Sequence, residues 1–176
     1  MTSVHDIFLK LIREISKFEN SKKGMEELYT DEYFMKQALQ QAELAKEKDE
    51  VPVGAVIVSQ NRVIARAHNL TECLNDVTAH AEMQAFTSAA EYIGGKFLHE
   101  CILYVTLEPC IMCAGASYWT RLSKVVYGAS DPKRGFQRIK TKLLHPKTTF
   151  VAGVMEMECS TILTDFFKQK RRESSL

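Results

Sequence analysis

The sequence predicts an α/β protein in which one mixed sheet lies between helices, and three observations carry that expectation. Short β-rich segments alternate with helical ones in the order α-β-β-α-β-α-β. The first two strands are joined by a two-residue turn. A composition that is 45% apolar over 176 residues suits one globular domain with its own core. Taking the elements in order, Val4, Ile7, Phe8, Leu11, Ile12, Ile15 and Phe18 lie on one stripe of an amphipathic helix, which Asn20-Ser-Lys-Lys-Gly24 breaks. A second helix is expected from about Asp31, read as its N-cap, to about Lys46, with Phe34, Ala38, Leu39 and Ala42 along it. Pro52 and Gly54 open a buried strand over residues 53–59, and Gln60-Asn61 turns it into a second strand over residues 62–68. Residues 78–93 are rich in alanine and poor in β-branched side chains, which reads as a helix stopped by Gly94-Gly95. Residues 102–106 are the next strand, residues 110–119 a helix despite Gly115, and residues 124–128 a strand again. Residues 131–148 lack periodicity, and residues 149–154 and 159–172 are read as the last strand and the last helix.

No stretch approaches the roughly 18–20 apolar residues needed to cross a bilayer, and Asp6 and Glu14 interrupt the compact apolar block that a signal peptide requires. A cytoplasmic protein with no membrane association is therefore expected. The five cysteines Cys73, Cys101, Cys110, Cys113 and Cys159 are odd in number and irregular in spacing, which excludes a disulfide-stapled scaffold and fits a reducing compartment. The formal net charge of +1 leaves no strong overall field for a polyanion, yet residues 131–172 hold ten basic side chains against four acidic ones. That bias reads either as a phosphate-binding face or as a solvated surface with a basic tail.

The residues that carry chemistry are Thr78-Ala-His80-Ala-Glu82 and Leu107-Glu-Pro109-Cys110-Ile-Met-Cys113, each placed after a loop and at the start of a helix. Cysteines three apart face the same side of a helix, and a helix N-terminus favours the thiolate that binds metal. With His80 the set has three ligands. A structural zinc site usually takes four, whereas a catalytic one takes three and leaves a position for water. Cys73, Cys101 and Cys159 are candidates for a fourth ligand, but their isolated settings read better as buried apolar thiols. His68, His99 and His145 lack a paired motif and read as structural or solvent-facing. Glu82 stands two residues past His80, where a carboxylate can move protons between a zinc-activated water and a substrate.

The pattern H-x-E…P-C-x-x-C is the signature of zinc deaminases acting on nucleobases. The stretches Val51-Pro-Val-Gly-Ala-Val56, His68-Asn69, Asp76-Val-Thr-Ala-His-Ala-Glu82, Leu103-Tyr-Val-Thr-Leu-Glu-Pro-Cys110, Met112-Cys-Ala-Gly-Ala116 and Val126-Tyr-Gly-Ala-Ser-Asp131 resemble the bacterial tRNA-specific adenosine deaminases, from about Thr30 to Arg172. The resemblance implies a three-layer α/β/α cytidine-deaminase-like fold with a mixed five-stranded sheet and one zinc per subunit of a homodimer. The implied reaction turns adenosine into inosine at the wobble position of a tRNA anticodon stem-loop. Carried over by position, His80, Cys110 and Cys113 would hold zinc, Glu82 would be the proton shuttle, and Asn69, Ala81, Asp131, Phe167 and Arg171 would contact the substrate. Asn69 and Asp131 also have the simpler reading of turn residues, and one of Phe166 and Phe167 is expected in the core.

The resemblance weakens at Pro132-Lys-Arg-Gly-Phe-Gln-Arg-Ile-Lys-Thr-Lys142, which is bulkier and more basic than the corresponding loop of better-known members. Residues 1–29 lie outside it and are read as a helical extension to a deaminase domain over residues 30–176, with Met25 an alternative start. Two other functions fit the same zinc motif: a deaminase of free guanine, cytosine or small nucleosides, and a zinc-stabilised RNA-binding module without turnover. Glu82 argues against the second, because a structural zinc site has no use for it.

Overall fold

The computed structural model describes residues 28–139 and 141–174. The expected helix over residues 4–18 lies outside them. The elements are α1 (Asp31–Glu47), β1 (Gly54–Ser59), β2 (Arg62–His68), α2 (Ala81–Ile93), β3 (Cys101–Leu107), α3 (Ile111–Thr120), β4 (Lys124–Ala129), a single 3-10 turn (Phe136–Arg138), β5 (Thr149–Val151) and α4 (Glu156–Glu173). The strands form one sheet in the order β2-β1-β3-β4-β5. β1 pairs antiparallel with both β2 and β3, while β3–β4 and β4–β5 are parallel, so the sheet is mixed as the sequence predicts. The β1–β2 hairpin turns at Gln60 and Asn61, both with positive φ (49° and 59°), the geometry whose twist matches that of the strands it joins.

α1 and α4 pack on one face of the sheet, α2 covers the other, and α3 packs beside α2. The alternation of strand side chains explains how close the layers come. A methyl group at Gly54 would fall 2.1 Å from the Ala38 carbonyl oxygen and 2.3 Å from the Ala42 nitrogen, so α1 lies directly on the β1 backbone. Gly128 does the same for α4, where a Cβ would sit 2.3 Å from Cys159 Sγ. Because the atoms facing Gly54 are helix backbone and cannot move aside, Gly54→Ala is expected to destabilise the fold by about 3 kcal/mol through forced separation of α1 from the sheet. Urea unfolding measures this, and an unchanged midpoint would show that the layers are not in direct contact.

Several boundaries differ from the sequence reading, some for a local and some for a tertiary reason. The N-cap of α1 is Thr30, whose hydroxyl accepts from the Tyr33 N–H at 3.2 Å, and not Asp31. The Asp31 carboxylate is engaged elsewhere, by the Tyr104 hydroxyl at 2.8 Å and by Lys124 Nζ at 2.8 Å, tying α1 to β3 and β4. α2 begins at Ala81 and not Thr78, because Asp76 Oδ1 accepts from both the backbone and the hydroxyl of Thr78 and holds residues 76–79 in a turn. β5 ends at Val151, since Gly153 (φ 81°) and Met155 (φ 54°) swing the chain into α4, which starts at Glu156, earlier than Cys159. Among the described residues, no helix is long and apolar enough to cross a membrane.

Candidate active site

Two helix N-termini meet at one point. His80 is the N-cap of α2 and Cys110 the N-cap of α3, and Cys113 lies in the first turn of α3. Neither cap residue spends its side chain on capping, which leaves the imidazole and the thiol for each other. His80 Nδ1 is 3.7 Å from Cys110 Sγ and 3.5 Å from Cys113 Sγ. The three donor atoms lie within 4.8 Å of one another, a group able to hold a metal ion. Of the other cysteines, Cys101 and Cys159 are buried as expected, whereas Cys73 is exposed, contrary to the sequence reading, because it sits on a surface loop. None of the three joins the cluster.

The donor atoms hydrogen-bond to one another. The Cys113 thiol hydrogen-bonds to Cys110, which brings the Cys110 thiol down to about 4, aided by His80, and pushes Cys113 upward. His80 is raised in turn, first by its hydrogen bond to Cys110. Glu82, in the first turn of α2, is 4% exposed, and burial pushes its carboxyl up to about 7. His80, Cys110 and Cys113 would hold a metal as a neutral imidazole and two thiolates.

The remaining expected residues divide into two groups. Asn69 is buried at the end of β2, where its side-chain oxygen accepts from the Ala81 N–H at 3.0 Å and fixes the start of α2 beside His80. Ala81 itself is fully buried. Asp131, Phe167 and Arg171 line a cleft of about 680 Å³ between the loop after β4 and the C-terminal half of α4. Lys133 and Arg134 line the same cleft. Asp131 Oδ1 accepts from the backbone of Lys133 (2.8 Å) and Arg134 (3.0 Å), so it also shapes the turn that its position before Pro132 suggested. Phe167 is exposed to the cleft and Phe166 is buried, which separates the two aromatic roles. His68 Nε2 accepts from Lys48 Nζ at 3.1 Å, and His145 packs on Tyr118; neither belongs to the donor cluster.

The model of the MafB19-like deaminase family matches residues 29–171. A tRNA-specific adenosine deaminase of Bacillus subtilis (strain 168) is 45% identical over 148 residues, covering 81% of this chain and 92% of that protein. The chain belongs to the tRNA-specific adenosine deaminases. A structure from biochemical and structural studies of A-to-I editing by tRNA:A34 deaminases at the wobble position of transfer RNA superposes on this deaminase with a TM-score of 0.69 at 46% identity, covering 74% of this chain and 99% of that one. A guanine deaminase from Bacillus subtilis reaches 42% identity with a TM-score of 0.54, over 56% of this chain and 64% of its own.

Two buried carboxylates of this deaminase escaped the sequence reading. Glu50, at the turn after α1, is fully buried and accepts from the Thr71 hydroxyl and from the backbone N–H groups of Glu72 and Cys73 at 2.8–2.9 Å. Burial raises its carboxyl, but these hydrogen bonds outweigh that and hold it below the ordinary carboxylate value. Glu108 is 5% exposed and accepts from the backbone of Asp131 and Gln137, each at 3.0 Å. The local signal was an acidic residue adjoining an apolar strand; the partners lie more than twenty positions away, where no spacing rule reaches.

Proposed function

We propose that this deaminase hydrolyses adenosine to inosine at the wobble position of a tRNA anticodon stem-loop, with one zinc per subunit held by His80 Nδ1, Cys110 and Cys113. The observation that supports it most directly is a three-donor set with a buried carboxylate beside it. Tetrahedral zinc bonded to sulfur at about 2.3 Å and to nitrogen at about 2.0 Å separates those two atoms by about 3.5 Å. The separations here are 3.5 and 3.7 Å, so His80 stands from each sulfur at the spacing that the ion requires. Zinc, when bound, supplies a water that is nucleophilic near neutral pH.

The rest is the work of this chain. Glu82 takes the proton of the attacking water and delivers it to a ring nitrogen of the base. It then carries the second proton to the departing amine, so that water adds, ammonia leaves, and the carboxylate ends as it began. Its burial keeps bulk water from competing for those protons and holds its affinity for them near neutrality. Asn69 anchors the start of α2 and thereby the spacing of His80 and Glu82, and its amide N–H₂ is the group left to contact the base. Phe167 offers a face on which a neighbouring base can stack, and Lys133, Arg134 and Arg171 offer charge for phosphates. An open cleft bordered by three cations favours a polyanion over a small neutral base such as guanine. The reading extends to a homodimer acting in the cytoplasm, in keeping with the family resemblance and with five free thiols.

The test is an incubation of zinc-loaded protein with an anticodon stem-loop carrying a wobble adenosine, in parallel with free adenosine, guanine and cytosine, scoring inosine and ammonia. Inosine in the stem-loop alone is the expected result. Ammonia from a free base alone would overturn the substrate while leaving the chemistry.

A further inference from the structure

The loop after β4 is held at two points by the carboxylate of a single distant side chain, Glu108. Glu108 lies at the end of β3, two residues before Cys110. A carboxylate at 5% exposure costs several kcal/mol to bury unless it is compensated. The compensation here comes from the loop backbone, since one carboxylate oxygen accepts from the Asp131 N–H and the other from the Gln137 N–H, each at 3.0 Å. Residues six apart are thus drawn onto one group, and the chain between them must bulge outward. The bulge carries Lys133 and Arg134 to the cleft that Arg171 borders from the opposite side.

Gly135 shows that the fit is specific. A methyl group there would fall 2.3 Å from the Glu108 carboxyl carbon, although its φ of −60° is open to any residue, so this position is kept small by the carboxylate and not by backbone strain. Further contacts hold the same loop to the ligand-bearing turn. The Phe136 N–H donates to the Pro109 carbonyl at 3.0 Å, and Cys110 and Gly135 form a β-bridge. Arg138 is spent on the loop itself, donating to the Pro132 and Lys133 carbonyls. Lys133 and Arg134 remain exposed at the cleft.

We propose that Glu108 is a positioning residue for substrate binding: its carboxylate staples the loop of residues 131–137 so that Lys133 and Arg134 grip the phosphodiester backbone of the RNA beside the edited base. The inference rests on the reading of the cleft as an RNA site. Glu108 touches neither base nor metal ligand in this role. It sets the distance between the donor cluster, through Cys110, and the two cations, through Asp131 and Gln137.

In Glu108→Gln one of the two backbone donors faces an amide N–H₂ and the staple opens. With zinc-loaded full-length protein, KM for the stem-loop is expected to rise about tenfold through misplacement of the cations, with kcat at saturation within about twofold and zinc content unchanged. The slope of log KM against log salt, over roughly 50–200 mM, is expected to fall by about one as a phosphate contact is lost. On a Lys133→Ala/Arg134→Ala background the same substitution is expected to add less than about twofold, because the groups it positions are gone. An equal KM factor in both backgrounds, or a fall in kcat with KM unchanged, would overturn the proposal. A wild-type KM insensitive to salt would remove the RNA reading, and the proposal with it, before any substitution is made. Should E108Q fail to fold, Gly135→Ala, whose methyl displaces the same carboxylate, is judged by the same criteria.

Discussion

Glu82→Ala is expected to lower kcat on a wobble-adenosine stem-loop by roughly 10²–10⁴-fold while one zinc per subunit stays bound. In the proposed mechanism every proton of the hydrolysis passes through this carboxylate, which is buried in the first turn of α2, two residues past His80. The ligands His80, Cys110 and Cys113 are untouched, so metal content by atomic absorption should match the parent. The substitution also removes a buried carboxylate and leaves a small apolar side chain in its place. A melting temperature close to that of the parent, measured beside the zinc content, distinguishes lost chemistry from lost structure. Full activity in the variant would remove the proton shuttle from the mechanism, and loss of zinc would show that the carboxylate supports the metal instead.

Removal of the metal is expected to abolish turnover and leave the fold standing. The expectation rests on the core, which β1, β3 and β4 side chains build with Phe34, Met35 and Leu98 and to which none of His80, Cys110 and Cys113 belongs. Far-UV circular dichroism of chelator-treated protein should thus match that of the zinc-loaded form, with deamination lost and then restored by zinc in a one-to-one titration. Unfolding on chelation would mark a structural zinc, as in the RNA-binding module considered from the sequence. Turnover surviving in protein shown to be metal-free would end the hydrolytic zinc reading.

Much of this was legible in the residues because it is local. Strands and helices followed from periodicity, the hairpin from Gln60-Asn61, and the end of α2 from Gly94, which takes the left-handed conformation (φ 70°) that only glycine adopts freely. The donor cluster was legible because His80–Glu82 and Cys110–Cys113 are short-range patterns whose spacing is set by a single helical turn. The reading of the first N-cap failed because a side chain was claimed by a distant partner. Asp31 resembles an N-cap, but Tyr104 and Lys124 hold its carboxylate and Thr30 takes the role.

The sequence by itself determined the chemistry and the alternation of elements, since both depend on residue type and on spacings of a few positions. Only the tertiary structure decided how the two ligand-bearing helices meet, that Asn69 binds the start of α2, and that Glu50 and Glu108 hold the loops of residues 71–73 and 131–137. Those contacts run from a side chain to the backbone of a remote segment. A backbone N–H is the same for nearly every residue, so nothing in the identity of the acceptor's partner marks it in advance.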